Sequence, residues 1–386
     1  MEGETQLTRL ETEVPYIWID SPPVLAEMLA HLRATPVVAV DTESDSLYVY
    51  FEKVCLLQFS VPGTDYLVDP LAVDVTSLGD FFADERYEKV FHAAEYDILC
   101  LKRDYGFTFS NLFDTMIAAR VLGWGQYGLG SILQDRFDVQ LNKRMQRYNW
   151  GARPLPGEAL DYARMDTRYL LPLRELQLKE LEVKKRLVEA RQAFHRQTQV
   201  EPTPKVFNPD DFWRVRGARD LSPVEQAVLR ELYVFRDRRA RELNRPPFKV
   251  INDATLVRLA QVRPAERRSL VQVKGLSYSM SRRDGADLLE VIARGLKAPF
   301  PHYPRNRYNH RDDETMARYE ALRAWRNSLA EARNVEPDVI LSNNTLMALA
   351  KEAPRTAQAL AEVEALDDWQ RKTYGDDLLR ILRCHL

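Results

Sequence analysis

PVVAVDTESDSLYVYFEKVCLLQFSVPGTDYLVD, residues 36–69, decides the fold. Val37-Val38-Ala39-Val40 is a short apolar run rich in β-branched residues and reads as a buried strand. CLLQFSV (55–61) is a second apolar run. The turn Pro62-Gly63-Thr64-Asp65 then leads into YLVD (66–69), so these two runs form a hairpin. Further on, Lys89-Val90-Phe91 reads as another short strand, and helical periodicity dominates from about residue 95 to 200. Strands early and helices late describe an α/β layer architecture, a sheet covered by helices.

Carboxylates sit at revealing places on this frame. Asp41 and Glu43 end the first strand, and their i, i+2 spacing turns both side chains to one face. Such a pair suits a divalent cation that prefers oxygen ligands, although acidic pairs at strand ends are common. Tyr162 and Asp166, in LDYARMDTRYLLPL, stack on one helical face at i, i+4. Asp97, in VFHAAEYDILCL, falls near the start of a helix that follows the 89–91 strand. Gly123-Trp-Gly125-Gln-Tyr-Gly128 formally matches GxGxxG, but it follows a helical run and not a strand, so it reads as a helix-terminating loop. No GxxxxGK[ST] motif indicates a nucleotide-driven motor.

Beyond about residue 200 the chain changes character. TQVEPTPKVFNPDD (198–211) and KAPFPHYPRNRYNH (297–310) read as linkers, which leaves segments 1–200, 211–296 and 311–386 as domains. The last two are copies of each other. A gap-free shift of 90 residues lays INDATLVRLAQVRP (251–264) on LSNNTLMALAKEAP (341–354), with matches from Arg236/Arg326 to Leu288/Leu378. Each copy reads as several short helices, with Asn252/Asp253 and Ser342/Asn343 as N-caps. Charge is uneven: residues 1–202 carry −9, 203–297 carry +8 and 298–386 carry −1. A basic segment beside an acidic one suggests a polyanion contact next to a site that needs carboxylates.

Taken together these residues resemble a known family. Asp41-Thr-Glu43, then Asp97 in an HxxxxD context, then Tyr162-xxx-Asp166 match in order the three motifs of the DEDD 3′→5′ exonucleases, the tyrosine marking the DEDDy subgroup. The stretch from Leu141 to Leu173, with Arg147, Trp150, Arg153 and Pro154-Leu155, is similar to the ribonuclease D family. The duplicated modules resemble HRDC domains. The resemblance implies an α/β ribonuclease H-like exonuclease domain with a mixed sheet, followed by two small all-α HRDC domains. It implies two divalent metal ions, Mg²⁺ or Mn²⁺, held by Asp41, Glu43, Asp97 and Asp166, and a Tyr162 that positions the attacking water. Four converging carboxylates repel one another, which independently favours cations or bound protons there.

The expected substrate is RNA with a free 3′ end, tRNA precursors among them, cut to nucleoside 5′-monophosphates. Lys143, Arg144, Arg147 and Arg153 surround Trp150 in a basic, aromatic segment suited to tracking phosphates and stacking a base. The bland alternative is a charged surface loop pinned by a buried tryptophan. Arg236, Arg238 and Arg239 supply a basic run in the first HRDC copy only. His92 stays outside the catalytic set, as a structural hydrogen bond explains it equally well. Two competing functions remain: an exonuclease acting mainly on DNA, and a nucleic-acid scaffold with a vestigial nuclease site. The acidic start lacks a signal-peptide pattern, no apolar run approaches the roughly 18 residues of a membrane helix, and three widely spaced cysteines suggest no disulfide framework. A monomer in the cytoplasm is expected.

Overall fold

The computed structural model describes residues 16–141, 143–303 and 313–384. They divide into two compact units. One runs to Ser44, resumes over Val54–Pro202 and takes in the C-terminal helices; the other joins Asp45–Lys53 to the segment that begins at Thr203.

The first unit is built on a six-stranded sheet: β1 Tyr16–Ile19, β2 Val37–Ser44, β3 Val54–Val61, β4 Thr64–Val68, β5 Glu88–Phe91 and β6 Leu112–Asp114. Their spatial order is β1-β4-β3-β2-β5-β6. The central pairs β2–β3 and β3–β4 are antiparallel and the outer pairs parallel, so the sheet is mixed as expected. β3 is buried along its whole length because both sheet faces are covered, which is why its sequence is a continuous apolar run. Two short strands, β1 and β6, carry no apolar run long enough to read from sequence. β2 continues past Val40 to Ser44, with a register shift between Glu43 and Ser44.

Helices α1 Pro22–Arg33, α2 Gly79–Ala83, α3 Glu95–Tyr105, α4 Thr115–Leu122, α5 Leu129–Phe137, α6 Gly157–Arg168, α7 Leu170–Val183 and α8 Leu187–Thr198 accompany it. The main core gathers Leu29, Leu32, Val38, Val40, Phe59, Phe82, Ile98 and Phe194. A smaller cluster of Cys55, Leu56, Leu67, Trp150, Ala159 and Ala163 seats α6 on β2, β3 and β4. The small Ala159 and Ala163 let α6 approach the sheet closely. Gly123 ends α4 with φ +76° and its N–H on the carbonyls of Ala119 and Arg120, the helix-terminating role its sequence context implied.

The duplication is exact in register. The first copy holds α9 Pro223–Glu242, α10 Pro247–Val250, α11 Asp253–Val262, α12 Arg267–Val271 and α13 Tyr278–Gly295. The second holds α14 Asp313–Arg333, α15 Pro337–Ile340, α16 Asn343–Glu352, α17 Ala357–Ala361 and α18 Asp368–Cys384. Each of the last four helices starts 90 residues after its counterpart. So do the left-handed corners at Asn244 and Asn334, and at Arg263 and Ala353. Asn252 and Ser342 cap α11 and α16 by accepting the N–H of Thr255 and Thr345. Buried Arg236 donates to the Ile251 carbonyl at 3.1 Å and to Asp253 at 2.5 Å; buried Arg326 repeats this on the Leu341 carbonyl at 3.0 Å and Asn343 at 2.8 Å.

The second copy packs within the sheet-bearing unit, against α4 and α8. Arg120 pairs with Asp338 at 2.6 Å, Arg333 with Glu189, and Arg196 with Asp367, while Arg186 donates to the Arg333 carbonyl at 2.9 Å. Gly123 lies so close that a Cβ there would stand 2.1 Å from the Asn334 carbonyl oxygen. In the other unit, the β2–β3 connection packs on the first copy. Asn244 Oδ1 accepts the N–H of Tyr50 and of Phe51 at 3.1 Å each, and the Tyr50 hydroxyl donates to Asp237 at 2.7 Å.

Candidate active site

β2 delivers Asp41 and Glu43 to the sheet face that α6 covers. The cross-strand partners Gln58 and Leu56 face the same way, and Leu56 belongs to the apolar cluster under α6. One turn of α6 separates Tyr162 from Asp166, so both project over the end of β2. Carboxylate oxygens of Asp41, Glu43 and Asp166 lie within 4.8 Å of one another. Asp97, in the first turn of α3, joins them across a cleft of about 470 Å³ that is also lined by Thr42, His92, Tyr96, Leu129, Gln146 and Tyr162. The five residues expected at the catalytic centre thus border one cleft.

The electrostatics are those of an anion cluster short of countercharge. Burial raises the Asp41 carboxyl well above its ordinary range, and the charges of Asp97, Asp166 and Glu43 add to it. Glu43 is raised by burial and then by Asp166 and Asp97. Burial pushes Asp97 up to about 7, against the opposing hydrogen bond from Thr42. Asp166 also reaches about 7 through burial, opposed by the hydrogen bond it accepts from Tyr162. The Tyr162 phenol is itself raised, first by burial and then by the carboxylates of Asp166, Glu43 and Asp41. It therefore stays protonated at any working pH and serves as a donor. A set of hard oxygen donors that repel one another matches a divalent cation better than any organic cofactor.

Two positioning residues carried no signal strong enough to be singled out. Thr42, between the two acids of β2, donates its hydroxyl to Asp97 Oδ1 at 2.5 Å and ties α3 to β2. Asp114, at the end of β6, caps α4 by accepting the N–H of Met116 and Ile117. The same carboxylate accepts from Ala93 at 3.2 Å and Ala94 at 2.8 Å, which fixes the turn that launches α3 and hence Asp97. An Asp before a helical run is an N-cap signal; its second task, across the sheet, is invisible in sequence. His92 is held neutral, burial lowering it to about 4. The Thr115 hydroxyl gives its one proton to the Phe91 carbonyl at 3.0 Å, so it accepts from His92 Nδ1 at 2.9 Å. The structural hydrogen bond weighed for His92 is present.

The expected RNA contacts divide sharply. Arg144 and Arg147 are exposed on the single-turn 3₁₀ helix Lys143–Arg147, whose Gln146 lines the cleft; the side chain of Lys143 lies outside the described residues. Trp150 is 1% exposed and packs on Tyr148 and Tyr162, with the Tyr162 ring centroid 6.1 Å away. It backs the Tyr162 ring and offers no face to a base. Arg153 is spent on the fold: it grips Asp69 through two hydrogen bonds of 2.6 Å and donates to the carbonyls of Trp150, Ala152 and Cys55. Arg236 is likewise internal, as described. Arg239 bridges Glu242 at 2.7 Å and buried Asp284 at 2.9 Å, and Arg238 stands 3.8 Å from Glu242. Trp150, Arg153 and Arg236, expected at the RNA, are instead engaged inside the fold, because packing between distant segments supplies partners that the local sequence does not display.

The chain is similar to known proteins along most of its length. A family model described as 3′–5′ exonuclease matches residues 16–182, and the HRDC domain model matches twice, at 225–292 and 315–382. A protein named ribonuclease D from Granulibacter bethesdensis is 30% identical over 364 residues, covering 92% of this chain and 90% of the relative. The exosome complex exonuclease RRP6 of Saccharomyces cerevisiae is 32% identical over 320 residues, 77% of this chain and 44% of that protein. Among solved structures, the catalytic core of RRP6 from Trypanosoma brucei superposes with a TM-score of 0.68 at 27% identity, covering 73% of this chain and 80% of that one. Escherichia coli RNase D shares the fold, with a TM-score of 0.63 at 24% identity, 96% of this chain and 99% of that one.

Proposed function

This chain belongs to the ribonuclease D family of 3′→5′ exonucleases, and from that premise we propose that it trims structured RNAs such as tRNA precursors from their 3′ ends, releasing nucleoside 5′-monophosphates with the help of two divalent cations. It is a 3′→5′ exoribonuclease, a phosphodiester hydrolase. The observation that carries the finer reading is the meeting of Asp41, Glu43 and Asp166 oxygens within 4.8 Å, with no lysine or arginine among the described residues that line the cleft.

Mg²⁺ or Mn²⁺ would supply the missing charge and stabilise the attacking and leaving oxygens of an in-line displacement. Asp41, Glu43 and Asp166 would hold the ions, with Asp97 joining directly or through water. Thr42 keeps the Asp97 carboxylate turned toward β2. Tyr162, always protonated, orients the attacking water and does not take its proton. Trp150 at its back restricts the ring. A cleft of about 470 Å³ is roomy for one terminal nucleotide, which favours attack at a free end. We also propose that the enzyme works as a cytoplasmic monomer; no helix among the described residues is long and apolar enough to cross a membrane.

The test uses 5′-labelled RNA and DNA with free or phosphate-blocked 3′ ends, incubated with Mg²⁺, Mn²⁺ or chelator beside Asp41→Asn and Asp166→Asn. Stepwise shortening of free-ended RNA that requires metal, and that falls by about 10³-fold or more in both variants while RNA affinity holds, is expected. Preference for DNA would replace the RNA reading. Binding without cleavage under every metal condition would leave only a scaffold.

A further inference from the structure

Gln58 interrupts the apolar run of β3, and nothing local calls for an amide there. The side chain is fully buried, and among the described residues neither its Oε1 nor its Nε2 has a hydrogen-bond partner. Both atoms are closed to water as well. Other buried polar groups nearby are better served. Ser60, two residues along the same face of β3, shares hydrogen bonds of 2.7 Å with Asp65 and Thr167. Buried Gln177 donates its Nε2 to the Thr115 carbonyl at 2.8 Å. An unpaired interior amide is unfavourable, because its bonds to water are given up and not replaced. A methionine or leucine would fill the same space without that cost.

The position of Gln58 supplies a reason. It stands directly opposite Asp41 in the β2–β3 ladder and opposite Leu67 in the β3–β4 ladder. Opposed residues on antiparallel strands share a face with Cβ atoms about 4.5–5.5 Å apart, a gap that a glutamine side chain spans. Two acids of the site already have a side-chain donor: Asp97 accepts from Thr42 and Asp166 from Tyr162. Asp41 accepts the Thr42 backbone N–H, and no side-chain donor reaches it among the described residues. Leu56 and Leu67, which flank Gln58, pack in one cluster with Trp150, whose buried indole Nε1 also lacks a partner. An amide that can both donate and accept thus stands beside a donor without an acceptor and a carboxylate without a side-chain donor.

We propose that Gln58 is a positioning residue for the metal centre: when divalent cations occupy the site, its Nε2–H donates to the Asp41 carboxylate while its Oε1 accepts the Trp150 indole N–H. The proposal rests on the reading that such cations bind there. The two ends of the amide are assigned by chemistry, since a carboxylate only accepts and an indole only donates. A carboxylate that holds a cation keeps lone pairs for a donor, and an N–H on them fixes which way the carboxylate faces. In the metal-free fold the amide stays unbonded, a strain that cation binding relieves. The same amide would tie Asp41 to the indole behind the Tyr162 ring, so that metal ligand and water-orienting phenol keep a fixed spacing.

The test uses the full chain with Mn²⁺ as the probe. Mn²⁺ is titrated calorimetrically into the metal-free parent, Asp41→Asn, Gln58→Met and Gln58→Leu, and thermal melts of the same proteins are recorded without metal. Asp41→Asn identifies the heat that belongs to the site. Met and Leu both remove the amide while keeping its bulk, and the second guards against a misfit of the first. We expect Mn²⁺ affinity to fall by about 10-fold in both Gln58 variants, while the metal-free Tm holds or rises by about 2 °C. The Mn²⁺ concentration that half-activates RNA cleavage should rise by the same factor as the affinity falls. Unchanged Mn²⁺ affinity in both variants would overturn the proposal. So would a metal-free Tm that falls in both, since the amide would then be holding the fold and not the metal centre. A parent that binds Mn²⁺ at Asp41 yet leaves free-ended RNA uncut would overturn the exonuclease reading alone, and a parent that binds no Mn²⁺ would overturn both.

Discussion

Tyr162 is a residue whose environment contradicts the role its chemistry first suggests. Burial and three nearby carboxylates raise its phenol, so it cannot be a base, and its hydroxyl donates to Asp166. Tyr162→Phe should therefore lower kcat by about 10²-fold with KM nearly unchanged, the magnitude usual for one positioned proton-transfer or orienting group. Steady-state kinetics on a short RNA would check it, and a wild-type kcat would remove Tyr162 from the mechanism. The four acids make a second prediction, about stability. Asp97 and Asp166 titrate near 7 in the folded chain and near 3.9 when unfolded. Their folded form binds more protons in between, so the stability they contribute is full below about 3.9 and is lost as pH rises through 7. Metal-free protein should thus gain more in Tm from added Mg²⁺ at pH 8 than at pH 5.5, read by thermal melts. An equal gain at both would show that the ion does not relieve this repulsion. At this scale the sequence revealed the acids and the tyrosine, because spacing on a strand and a helix determines which side chains share a face. It concealed the inward destinations of Trp150, Arg153 and Arg236, because a guanidinium's partner is set by packing between distant segments.

Among the elements, the most informative failure of sequence reading is β6. It has three residues, Leu112–Asp114, and contributes no periodicity, yet it ends in the carboxylate that organises the site from behind. Asp114 accepts four backbone N–H groups, from Ala93, Ala94, Met116 and Ile117, and so binds the starts of α3 and α4 together. Asp114→Ala should leave those donors buried and unpaired, destabilising the chain by about 3 kcal/mol and lowering activity through a displaced Asp97. Denaturant unfolding beside the activity assay would reveal it; a stable, fully active variant would show that α3 holds its place without this anchor. β2 and the β3–β4 hairpin were legible since their apolar runs are continuous and end in turn residues. β1 was not, being a half-exposed strand that, among the described residues, pairs with β4 alone.

For the whole molecule, the sequence announced two copies of one module but not their different attachments. The second copy is fastened by Arg120–Asp338, Arg333–Glu189 and Arg196–Asp367, pairs that join residues more than 140 positions apart. Gly123 is the closest point of approach, and Gly123→Ala combines a left-handed φ with a 2.1 Å clash against Asn334. That variant should loosen the second copy, so limited proteolysis should cut between residues 297 and 313 faster while dinucleotide cleavage persists. Unaltered proteolysis would mean that the ion pairs alone hold the copy in place.

Two adjacent copies in the same register also pose a hazard during synthesis, since a first helix can pair with the wrong partner. The core positions guard against it. Where α9 buries Val228, against Gly295, α14 buries Arg318, whose Nε reaches the Ala350 carbonyl. Exchanging the two helices would press a guanidinium against the Gly295 backbone and leave a hole in the second copy. Kinship between the copies is kept in their corners and caps, and each helix carries in its buried face the address of its own module.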